Sequence, residues 1–136
     1  MAASTGESAE FDDFAARVAA LPERVNNNPA LLRRGRFLTT ALQLLVGDRS
    51  FVVRIVDGRI AEAGLGRFAT GDVAMIAEPA VWRRLLATPP AVGDHDFLAF
   101  YKRKELRLAG DLHPLMSRLL YFKEVLANLR APEARR

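Results

Sequence analysis

The sequence has no cysteine, only two histidines and only three lysines. Without cysteine there is no disulfide scaffold, no thiolate metal site and no thiol nucleophile, and a reducing compartment suits the chain. Long apolar runs are also missing. The longest uncharged stretch, "FLTTALQLLVG" at 37–47, is far short of the roughly 18 to 20 residues a membrane-spanning helix needs. The start, "MAASTGESAE", has neither the basic residues nor the apolar core of a secretory signal. These absences lead us to expect a soluble, cytoplasmic protein.

What is present is apolar. Half of the 136 residues are hydrophobic, enough to line a cavity as well as fill the core of one domain. The formal net charge is +4 and is unevenly placed. Residues 1–30 carry five acidic and two basic residues, so the remainder is at +7. A basic body suits nucleic acid, phosphate head groups or an acidic partner. However, seventeen of the twenty basic residues are arginine and alanine is abundant, which a GC-rich genome produces without selection for binding. We expect a disordered lead at 1–9, one domain over 10–130 and a flexible basic tail at 131–136.

Hydrophobic periodicity orders the domain. Phe11, Phe14, Val18, Leu21 and Val25 recur at helical spacing, with a break or restart at Pro22 and a further short helical stretch ending at Gly35. From Thr40 the period becomes two. Thr40, Leu42, Leu44 and Val46 share one strand face, and Phe51, Val53 and Ile55 share another with Arg54 opposite. Asp57-Gly58 signals a hairpin into "RIAEAG", and "DVAMIAE" at 72–78 gives a fourth strand, so a four-stranded meander is expected. Pro79 opens a helix bearing Val81, Trp82, Leu85 and Leu86, and a second helix over about 94–103 carries Phe97, Leu98, Phe100 and Tyr101. A strand with Leu106 and Leu108 follows. At Gly110-Asp111 it turns into one long amphipathic helix carrying Leu112, Leu115, Met116, Leu119, Phe122, Leu126 and Leu129. Gly110 permits a close or left-handed backbone there, and Asp111 can cap the helix.

Chemistry-bearing motifs are weak. Asp94, His95 and Asp96, with His113 eighteen positions on, make a poor metal set; helix capping by Asp94 or Asp96 explains the aspartates better. "GLGRFATG" at 64–71 lacks the Lys-Ser/Thr of a phosphate loop, and Ser117 lacks a nucleophile turn. "FYKRK" at 100–104 mixes rings with cations as nucleic-acid binders do. The spacing of Phe97, Phe100 and Tyr101 favours a buried face with Lys102, Arg103 and Lys104 as a rim, so nucleic acid is the lesser reading.

Three segments carry a resemblance: "FVVRIVDGRI" at 51–60, "DVAMIAEPAVWRRLL" at 72–86 and, above all, "FLAFYKRKELRLAGDLHPLMSRL" at 97–119. In order and wording they resemble the sterol carrier protein type 2 family over roughly residues 10–128. The resemblance implies an α+β fold of two layers, a mostly antiparallel five-stranded sheet with helices on one face enclosing an apolar tunnel. It implies a lipid carrier with no catalytic residue and no cofactor. The ligand would be a fatty acid, acyl-CoA, sterol-like molecule or quinone precursor; the last follows from bacterial relatives that are accessory factors of ubiquinone biosynthesis and hold polyprenylated intermediates. Transient contact with a membrane surface is also implied, and no protein partner is specified. The tunnel wall would comprise Leu42, Leu44, Val53, Ile55 and Leu108 from the sheet, and Trp82, Phe97, Phe100, Leu115, Met116 and Leu119 from the helices. Arg103, Lys104 and Arg118 would form a head-group rim. Two stretches depart from the family. The ending "APEARR" differs from a peroxisomal targeting tail, and "TPPAVGDHD" differs from the usual link between the middle helices.

Overall fold

A computed structural model of the chain describes residues 2–66, 72–87, 91–94 and 96–130, with side chains from Phe11 onward. In chain order its elements are α1 (Ala2–Ala19), α2 (Leu21–Asn26), α3 (Pro29–Arg34), β1 (Thr40–Val46), β2 (Arg49–Val56), β3 (Arg59–Leu65), β4 (Val73–Ala77), α4 (Pro79–Leu85), α5 (Phe97–Lys102), β5 (Arg107–Gly110), α6 (His113–Ser117) and α7 (Leu119–Ala127). The fold is α+β.

The first three helices form where the periodicity places them. Phe11, Phe14, Val18, Leu21 and Val25 are all buried, and Pro22 sits in the first turn of α2, where a missing amide leaves no helical bond unmade. Asn28 caps α3 by accepting from the Leu31 amide at 3.2 Å. Helix α1 reaches back to Ala2. Its alanines and glutamates are strong helix formers, and a helix already docked through Phe11 to Val18 propagates over them without a new nucleus.

The sheet order is β3-β2-β1-β4-β5. Three pairings are antiparallel, β1 with β2, β2 with β3 and β4 with β5. The meander expectation fails at its fourth strand, because β4 pairs in parallel with β1, Leu44 opposite Met75, rather than joining β3. Side-chain character explains the order. Strand β1 is buried along nearly its whole length, which suits a central strand with a neighbour on each side, whereas β3 carries Arg59 and Glu62 and is mostly exposed, which suits an edge. Thr40, Leu42, Leu44, Val46, Phe51, Val53, Ile55, Val73 and Met75 point to the buried face. The helices cover that face and share one apolar core with it.

The C-terminal half contains a second correction. The single long helix expected after Asp111 is broken at Arg118 (φ −128°, ψ 45°) into α6 and α7. The break brings Tyr121 to the buried side beside Phe122, Val125 and Leu126, where its hydroxyl donates to the Gly58 carbonyl at 2.6 Å. The hinge before α6 forms as expected. Gly110 has φ +90°, and a Cβ there would overlap the Asp72 carbonyl oxygen, so both the left-handed backbone and the close approach require glycine. Asp111 accepts from the His113 amide at 3.2 Å.

Candidate ligand cavity

Between α1, α4 and the end of β1 lies an open cavity of about 430 Å³, lined by Phe11, Asp13, Phe14, Arg17, Val46, Pro79, Trp82, Arg83, Leu86 and Ala87. Pockets that hold drug-sized molecules run from about 300 to 1,000 Å³ and are mostly apolar with a few polar groups. The local sequence fixes the position of this wall. Pro79 starts α4 directly after β4, which sets Trp82 one turn in, and Trp82 Nε1 donates to the Leu45 carbonyl at 2.8 Å. The Phe14 ring meets Phe51 edge-on at 4.9 Å between centroids and Trp82 at 5.6 Å. Edge-to-face rings pack favourably at these distances. Rigid rings held this way cannot fold inward to fill the remaining space. The Arg49 guanidinium lies 4.4 Å from the Phe11 ring centroid, a cation–π contact on the same wall.

The rim is polar. Asp13 and Arg17 form an i,i+4 ion pair at 2.9 Å, and Arg17 also donates to the Leu129 carbonyl at 3.4 Å. Arg83 adds a second guanidinium to the lining. The cavity is thus an open, mostly apolar recess with two cations and one anion along its lining.

Of the residues expected to form a tunnel wall, Trp82 alone lines this cavity. Leu42, Leu44, Val53, Ile55, Phe97, Phe100 and Leu115 are buried in the packed core, and Leu108 and Leu119 are partly buried against it. Phe97 also borders a crevice of about 10 Å³ beside α7, which is too small for anything beyond a water. Met116 is 44% exposed, since it lies about 100° around α6 from the buried Leu115. Phe11, Phe14, Val46 and Leu86 are the wall residues that sequence reasoning assigned to the core or a strand face without seeing a void beside them.

The expected head-group rim is dispersed. Arg103 donates to Asp94 at 2.7 Å and to Glu105 at 3.0 Å, and Arg84 bridges the same two carboxylates at 3.3 and 3.0 Å. Both guanidiniums lie over the Phe100 ring, Arg103 at 4.6 Å and Arg84 at 5.1 Å from its centroid. The cluster joins α4, α5 and the approach to β5, and spacing along the chain gives no hint of it. Desolvation opposes ionisation of Asp94, but the hydrogen bonds from Arg84 and Arg103 prevail and hold its carboxyl below the usual range. Hydrogen bonds from Arg103 and Arg84 lower Glu105 in the same way. Lys104 is exposed, and Arg118 donates to the Arg36 carbonyl at 3.3 Å. Of the two candidate caps for α5, Asp96 serves, accepting from Leu98 and Ala99 at 2.9 and 3.4 Å. His95 lies outside the described residues. Among the described residues no group of three His, Asp or Glu side chains is placed to hold a metal, and no helix is long and apolar enough to cross a membrane.

No protein-family model matches the chain, and no curated protein matches it significantly. Solved structures do. A crystal structure of sterol carrier protein 2 superposes with a TM-score of 0.69 at 20% identity, covering 88% of this chain and 97% of that one. Sterol carrier protein 2 like 2 from Aedes aegypti gives 0.57 at 21% identity, covering 82% and 94%. A UbiJ-SCP2 ubiquinone synthesis protein gives 0.58 at 18% identity, covering 86% and 95%. The chain therefore has the sterol carrier protein 2 fold.

Proposed function

We propose that the protein is a non-catalytic lipid carrier that houses the apolar part of its cargo in the cavity between α1 and α4. The observation that carries this reading is the cavity itself, about 430 Å³ walled by Phe11, Phe14, Val46, Trp82 and Leu86, in a domain whose fold is that of sterol carrier protein 2. An apolar chamber needs no polar contact to bind a chain, since each methylene removed from water contributes about 0.8 kcal/mol. Selectivity is then loose. The polar end of the cargo would remain at the rim, where Arg17 and Arg83 favour an anionic or strongly polar head. The likeness to a ubiquinone synthesis protein is a reason to try prenylated quinone precursors as cargo beside fatty acids, acyl-CoA and sterols.

Native mass spectrometry of the purified chain, followed by extraction and identification of what is released, tests the proposal. The expected result is a bound species of lipid chemistry, or its appearance after incubation with those four cargo classes. A spectrum that stays at the bare mass after all four incubations would overturn it.

A further inference from the structure

Residues 128–130, which follow α7, are tied to both walls of the cavity. Arg24 of α2 donates to the Asn128 and Arg130 carbonyls at 2.7 and 3.1 Å. Arg17 of α1, itself part of the cavity lining, donates to the Leu129 carbonyl at 3.4 Å. On the other side, Nε and Nη2 of Arg130 both donate to the carbonyl of Leu85, the last residue of α4, at 3.1 and 3.0 Å. The next residue, Leu86, lines the cavity, and Leu129 is fully buried. Carbonyls at a helix end lack partners within their helix, and nearby arginines can satisfy them. Here one short segment takes part in two such caps, as acceptor from α1 and α2 and as donor to α4. It therefore bridges the two helices that wall the cavity.

We infer that residues 128–130 are a strap that holds the cavity walls at a fixed separation, and that Arg130 is thereby a specificity-determining residue. With the strap fastened, a flexible single chain enters and a rigid fused-ring skeleton does not. The inference rests on the reading that the cavity houses the apolar part of the cargo. Within the cavity the walls already touch at the Phe14 and Trp82 rings, 5.6 Å between centroids, so the free space lies against an uneven aromatic surface. A flexible chain fits such a surface by rotating its single bonds between staggered positions. A fused-ring skeleton has no such freedom and needs the walls to part. Parting α1 from α4 breaks either the Arg130–Leu85 contact or the Arg17–Leu129 bond. Each hydrogen bond given up without replacement lowers affinity for that cargo by about fivefold.

Titration of the full chain with oleate and with the fluorescent sterol dehydroergosterol tests this. The wild type should bind oleate at least about tenfold more tightly than the sterol. Arg130→Met keeps the apolar stem and removes the donors. It should bind the sterol about fivefold more tightly than the wild type does, and oleate within about twofold of it. Loss of a merely structural contact would weaken both cargoes or neither, so a change in their ratio separates the two roles. Arg130→Lys retains a donor for the Leu85 carbonyl and should keep the wild-type ratio. Arg24→Met, outside the cavity lining, releases the strap from α2 and should move the ratio in the same direction as Arg130→Met, which decides the matter if that variant fails to fold. Equal affinity of the wild type for both cargoes, or a ratio unchanged in both methionine variants, would overturn the inference and leave the cavity as the cargo site. Binding of neither cargo by the wild type would overturn the strap and the cavity assignment together.

Discussion

Two ends of the helical layer are differently closed. At the α3–α7 end, Gly35 and Gly58 approach so closely that a Cβ on Gly58 would stand 2.7 Å from the Gly35 carbonyl carbon and oxygen, and the Tyr121 hydroxyl bonds across the contact. At the α1–α4 end, three aromatic rings meet edge-on and leave about 430 Å³ open. The first end is sealed by backbone contact, which adapts little. The second is walled by large rigid side chains, which keep their spacing when nothing lies between them. The site is therefore located by where packing stops, and burial alone does not reveal it.

The sealed end should break most severely. Gly58→Ala places a Cβ into the Gly35 backbone at φ +78° and should cost about 3 kcal/mol in denaturant unfolding, combining left-handed strain with overpacking. A cost below about 1 kcal/mol would mean that this contact opens freely. At the other end, Val46→Phe adds a ring to a wall residue whose side chain faces the cavity. It should weaken cargo uptake at least tenfold, about 1.4 kcal/mol, with an unchanged melting temperature. Met116→Trp, at an exposed site on the broken helix, should change uptake less than about twofold; a loss matching that of Val46→Phe would return the binding site to α6.

Tyr121→Phe sharpens the contrast within the sealed end. It leaves the buried Gly58 carbonyl without its donor and should cost about 1 to 2 kcal/mol, with cargo uptake unaffected. Smallest and most conditional is the pH response of the Asp94–Glu105 cluster. Both carboxyls are lowered in the folded state, so their stabilisation is complete above the ordinary carboxylate range and is lost as pH falls through the lowered folded values. The melting temperature of the wild type should therefore fall on acidification from pH about 5, and that fall should be shallower in Asp94→Asn. Parallel curves would show that the cluster contributes nothing to stability.

Patterns with a local cause were legible in the sequence. Phe11, Phe14 and Val18 had to share a buried helix face, Phe51, Val53 and Ile55 a strand face, and Gly110 had to be a hinge, because periodicity and turn chemistry act between neighbours. The place of β4 beside β1 was not legible, since strand order depends on contacts between residues more than thirty positions apart. The same limit hid the ion cluster, in which Arg84 meets Glu105. Leu115 and Met116 show a third limit. They are neighbours on α6 and point about 100° apart around it, so the first is buried and the second exposed, which an apolar pattern alone does not decide. Phe14 and Trp82 read as core, and they are; that they also border a void follows from ring geometry, which a hydrophobic pattern does not encode.

Trp82 is the chain's only tryptophan, and it lines the cavity, so its fluorescence reports on this site and no other. Titration with a fatty acid carrying a nitroxide on its chain is the most direct test of where cargo binds. Saturable quenching at one ligand per chain is expected, with Val46→Phe shifting the curve to at least tenfold higher ligand, about 1.4 kcal/mol. Binding that is detected by mass but leaves Trp82 unquenched would contradict it and place the cargo elsewhere in the fold.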